Sequence, residues 1–174
     1  MKRILVGLAA LVFVLGFATG VVVAKGKGLA SSVYEGKSPK EAAVSILEVS
    51  QGMAGNGTWE LIGIGRVYYL SGDKASGQAL FDRVLSGKAK KDDYLRVGRV
   101  YYEAGEWDKA APVFEKVLQM DPTDDDNHSE IGAYYNLHGD RARAEEIFRQ
   151  AFSKGESFWG TVNAAGSYVG VKPQ

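Results

Sequence analysis

GRVYY occupies residues 65–69 and returns letter for letter at 98–102, and GAYYN follows at 132–136. Gly65 and Gly98 stand 33 residues apart, Gly98 and Gly132 stand 34 apart. A catalytic loop is not made three times over at constant spacing, whereas a unit that stacks on copies of itself must be. With the recurring glycine as position 8, the unit opening at Lys91 carries Val97, Gly98, Tyr101, Gly105, Ala110, Phe114 and Pro122 at positions 7, 8, 11, 15, 20, 24 and 32. The unit opening at Asp125 supplies Ile131, Gly132, Tyr135, Gly139, Ala144 and Phe148 in the same register, without the proline. The unit opening at Thr58 supplies Ile64, Gly65, Tyr68, Gly72, Gly77 and Phe81, is one residue shorter, and has glycine in place of alanine at position 20.

This period and these residue types resemble the tetratricopeptide repeat, a 34-residue helix–turn–helix, over about 58–158. The resemblance implies an all-α, right-handed α-solenoid made of units 58–90, 91–124 and 125–158. Small residues at positions 8 and 20 let the two helices of a unit approach closely. The aromatic residues at 11 and 24 fill the space around that contact, each contributing about 2–3 kcal/mol by burial. Gly72, Gly105 and Gly139 follow the first helix of each unit, where a left-handed residue is least costly.

The flanks extend the pattern. SPKEAAVSILEVSQ begins with Ser38 as N-cap, Pro39 in the first helical position and Glu41 three residues after the cap, a capping box. With Tyr34, Ala43 and Leu47 at positions 11, 20 and 24, residues 25–57 read as a degenerate first unit whose leading helix is poor in helix formers. Beyond the third unit, residues 159–174 read as a closing helix and tail, with Gly166 standing 34 residues after Gly132. A solenoid needs such caps to cover its ends.

Residues 1–24 are different in kind. Lys2 and Arg3 precede an apolar run from Ile4 to Ala24 interrupted only by Thr19. Such a run has no polar face, so it does not read as a surface helix. It fits a secretory signal cleaved after Ala24, and equally a retained signal anchor of the ~20 residues that span a bilayer. Either reading carries the remainder out of the cytoplasm, because the leading bases stay on the cytoplasmic side. The expected location is therefore the bacterial periplasm, or the periplasmic face of the inner membrane.

The composition closes several classes. There is no cysteine, which excludes disulfides and thiol chemistry. The formal charge is zero, and without Lys2 and Arg3 there are 19 bases against 21 acids, no basis for nucleic-acid binding. EGKS at 35–38 has Ser31 where a phosphate loop needs its first glycine, and GIG at 63–65 has no third glycine. DPTDDDN at 121–127 lacks the glycine and glutamate of a calcium loop, so its aspartates read as helix caps. His128 and His138 are ten positions apart, and the adjacent Glu145 and Glu146 diverge on a helix. No catalytic, cofactor or metal constellation emerges.

The resemblance instead implies a groove. In this repeat family the first helices line a concave face, and positions 2, 5, 9 and 12 touch bound peptides. Here those positions hold Trp59, Ile62, Arg66 and Tyr69, then Asp92, Leu95, Arg99 and Tyr102, then Asp126, Ser129, Ala133 and Asn136. Positions 9 and 12 share a helix face, so each Arg–Tyr pair projects together. With Arg96 beside them they make a basic, aromatic strip suited to a carboxylate-bearing segment, because arginine and tyrosine anchor interfaces well. The lysines and asparagines with which some relatives clamp a terminal carboxylate are missing. Repeat ancestry alone, with Arg66 and Arg99 merely solvated, also accounts for the duplication. Trp107 and the Phe158–Trp159 pair read as packing residues or as a second partner face. The expectation is a non-enzymatic scaffold or assembly factor binding a peptide. A self-assembling array docked end to end, held by an uncleaved anchor, is the other class.

Overall fold

In the computed structural model, residues 28–153, 155 and 157–173 are described. The expected signal or anchor at 1–24 lies outside them. Among the described residues there are eight α-helices, no strand, and no helix long and apolar enough to cross a membrane. After a 3₁₀ turn at Ser31–Val33 come α1 (Pro39–Ala54), α2 (Thr58–Leu70), α3 (Lys74–Leu85) and α4 (Lys91–Glu103). Then follow α5 (Trp107–Met120), α6 (Asp125–His138), α7 (Arg141–Ala151) and α8 (Phe158–Tyr168).

Helices α2/α3, α4/α5 and α6/α7 pack as pairs, and the recurring glycine explains how. A Cβ built at Gly65, Gly98 or Gly132 would stand 2.6 Å from a ring carbon of Phe81, Phe114 or Phe148 respectively. The same notch thus takes the same ring three times over. At position 20, Ala110 and Ala144 are fully buried. Gly77 departs from them because α3 lies closer to α2: a Cβ there would sit 2.6 Å from the Gly65 carbonyl and 2.7 Å from Tyr69 Cβ. Gly72, Gly105 and Gly139 turn the chain between paired helices with φ of 102°, 74° and 103°. Side-chain carboxylates begin the second helices, with Asp73 and Asp140 accepting from the Ser76 and Arg143 amides.

The ends are half units. Ser38 and Glu41 form the capping box of α1. Ahead of that helix the described chain forms only the 3₁₀ turn, so α1 is a second helix without a full first one. At the other end α8 lies beside α6 in the same direction. Asn136 donates to the Ser167 hydroxyl at 2.9 Å, Ser157 donates to Asp126, and a Cβ on Gly160 would meet Ser129 Oγ at 2.7 Å. Phe158 and Trp159 stay exposed, Trp159 bordering a pocket with Asp126, Glu130 and Lys172. Trp107 packs instead, edge-on to Tyr135 and stacked on His138 at 4.1 Å between ring centres. In the acidic run, Asp124 caps α6 through the Asn127 amide, while the Lys91 ammonium pairs with Asp121 (2.6 Å) and Asp124.

Candidate functional site

The first helices α2, α4 and α6 present one face to a cleft of about 380 Å³. Trp59, Ile62, Arg66, Arg96, Arg99 and Tyr102 line it, together with Glu103, Tyr134, Lys172 and Pro173. Six of the nine groove residues expected from the sequence therefore meet there. The other three do not. Tyr69 is 1% exposed, its ring 5.6 Å from those of Phe81 and Tyr101, because the close approach of α3 at Gly77 shuts it inside. Leu95 is buried in the core. Asn136 is engaged by Ser167 on α8. Ser129 and Ala133 of the third unit are likewise fully buried, so the peptide-facing pattern lapses there.

The arginines differ in availability. Arg66 meets Glu103 through two hydrogen bonds, Nε to Oε2 at 2.7 Å and the second from Nη2. Arg99 grips Glu130 the same way, its Nε at 2.5 Å from Oε1. Each pair joins one unit to the next. The first is open to solvent, with both side chains about half exposed, and contributes at most ~1 kcal/mol. In the second the glutamate side chain is only 8% exposed. Removing Arg99 would strand that carboxylate, so a loss of binding in an Arg99 variant would be confounded with a loss of fold. Arg96 behaves differently. Its guanidinium carbon lies 3.7 Å from the centre of the Trp59 ring, and it makes no ion pair among the described residues.

Away from the cleft, Tyr69 and Glu106 tie unit to unit. The Tyr69 hydroxyl donates to Glu106 and accepts from Lys109 at 2.7 Å, and Lys74 also donates to Glu106. Hydrogen bonds from Lys74 first, then Tyr69 and Lys109, pull the Glu106 carboxyl down to about 2. Burial pushes the Tyr134 and Tyr102 phenols up, so both line the cleft as neutral rings.

Residues 92–124, which are α4, α5 and the turn after them, match the family model of the tetratricopeptide repeat. Residues 92–124 thus form a tetratricopeptide repeat. The match covers one unit, and the pairs α2/α3 and α6/α7 of this repeat protein repeat its glycine-to-phenylalanine contact. No curated protein and no solved structure matches the chain. Repeats of this family generally serve protein–protein contact.

Sequence reasoning missed Glu103, Glu130, Tyr134, Lys172 and Pro173. Glu103 and Glu130 fall at positions 13 and 6, where the other units carry unlike residues, so periodicity gives no signal for them. Lys172 and Pro173 belong to the tail, outside any unit.

Proposed function

We propose that this chain is an exported, non-catalytic scaffold of the bacterial cell envelope. Its concave cleft docks a peptide segment of acidic character. The carrying observation is a cleft walled by Trp59, Tyr102 and Tyr134 in which Arg96 lies on an indole face and pairs with no carboxylate among the described residues. Aromatic rings supply rigid apolar contact, and an arginine held over a ring keeps donors free for a carboxylate. The apolar run after Lys2 and Arg3 supports export, either as a cleaved signal or as an anchor at the inner membrane.

A photo-crosslinking amino acid at Trp59, and in a separate strain at Lys116 on the exposed side of α5, tests the groove in cells. A partner adduct from position 59, absent from position 116 and lost on adding Arg96→Gln, is the expected result. Equal adducts from both positions would remove the groove reading. Phe158 and Trp159, 71% and 59% exposed, favour end-to-end self-association as a second reading. Light scattering behind a sizing column decides it, since a monomer at micromolar concentration discards that reading.

A further inference from the structure

After α8 the chain reverses at Gly170, whose φ is 81°, and the Val171 amide donates to the Gly166 carbonyl at 2.9 Å. Gly166 holds the position at which the three units offer a notch to a phenylalanine ring. Here the chain's own Val171, itself 56% exposed, rests against that position, its carbonyl 3.3 Å and its Cβ 3.5 Å from where a Gly166 Cβ would stand. The returning segment then reaches the concave side, where Lys172 and Pro173 line the cleft together with Trp59 and Arg96.

Four cations surround this cleft, and they fall into two kinds. Arg66 and Arg99 are paired with Glu103 and Glu130. Arg96 and Lys172 make no ion pair among the described residues; each lies on a ring instead, Arg96 on Trp59 and Lys172 on Tyr102 at 5.6 Å. A ring holds a cation in place without cancelling its charge, so these two remain available to an anion. Asp126 and Glu130 border a pocket beside Lys172, but neither forms an ion pair with it among the described residues. The cleft, about 380 Å³, admits a few side chains rather than a folded surface.

We propose that Val171–Pro173 is a wall of the binding site, and that Lys172 on this wall and Arg96 on α4 together read the carboxylates of a short acidic segment. The proposal rests on the groove reading and deepens it. It makes the tail part of the site, held there by the turn at Gly170 and the Val171 amide bond to the Gly166 carbonyl.

The probes are fluorescein-labelled hexaglutamate and, as control, labelled hexaglutamine, titrated by polarisation with the full chain. Hexaglutamate binds and hexaglutamine does not. Arg96→Gln and Lys172→Gln each weaken binding about tenfold, as expected for loss of a charged hydrogen-bonding partner. Gly170→Val, which strains the turn that returns the tail while keeping Lys172 and adding no charge, weakens it as much. Lys116→Gln removes the same charge from the far side and leaves binding unchanged. Positions 170 and 172 lie outside every helix, and far-ultraviolet dichroism matching that of the parent chain shows that each variant is folded. Unchanged binding in Lys172→Gln or Gly170→Val overturns the proposal, as does an equal loss in Lys116→Gln. If Arg96→Gln weakens binding while Lys172→Gln does not, the tail's role falls and the groove reading stands. If Arg96→Gln, Lys172→Gln and Trp59→Ala all bind hexaglutamate like the parent chain, both fall.

Discussion

A methyl group added at Gly98 would have to occupy space already filled by the fully buried Phe114 ring, and core packing this tight yields only by displacing the ring or spreading the helices. Gly98→Ala should therefore cost about 1–3 kcal/mol, read as a lower urea midpoint with an unchanged slope. An unaltered midpoint would mean that the notch is not what joins α4 to α5. This contact was legible in advance, because a steric requirement repeated three times leaves three glycines at one spacing. The pairing of Arg66 and Arg99 was not legible. Their partners lie in the next unit at unmatched positions, so residue type marked the arginines as groove residues but could not reveal that they were already engaged. Arg96, singled out on type alone, is the one left open, and nothing in its own sequence neighbourhood distinguishes it from Arg99.

Between elements, Glu106 is the clearest junction: at the start of α5 it collects donors from α2, α3 and α5. Its carboxyl sits at about 2 in the folded chain against an ordinary 4.5, so folding favours the ionised form. The stabilisation it gives is complete above about pH 4.5 and fades as acid approaches pH 2. Glu106→Gln should accordingly lower the thermal midpoint near neutrality. The gap from the parent chain should shrink below pH 4.5 and close near pH 2, measured by far-ultraviolet dichroism. A gap independent of pH would count against the junction. At this scale the helix boundaries followed from caps and turn glycines, which act locally. Among the described residues, the leading half of the first unit forms only a 3₁₀ turn and no α-helix, since Gly28, Gly36 and two adjacent serines offer little helix propensity.

Across the molecule, burial is uneven. Only Leu47 and Val49 of α1 are buried, whereas α6 is buried continuously from His128 to Tyr135, between α7 and α8. Amide exchange should therefore be fastest in α1 and slowest in α6, because a stacked array opens from the end with the least packing. Equal protection in the two helices would argue for a single cooperative block. That the chain is a stack was readable from periodicity; that its closing helix lies along α6 and sends the tail back across the groove depends on contacts between non-repeated residues, which no period encodes. The two arginine–glutamate clasps add a mechanical asymmetry. One is wet and yields to added salt; the other is shielded and does not. Under rising ionic strength the joint beside α2 should soften while the joint beside α6 keeps its angle, so the curved array would flex like a rod with one slack hinge and one fixed one.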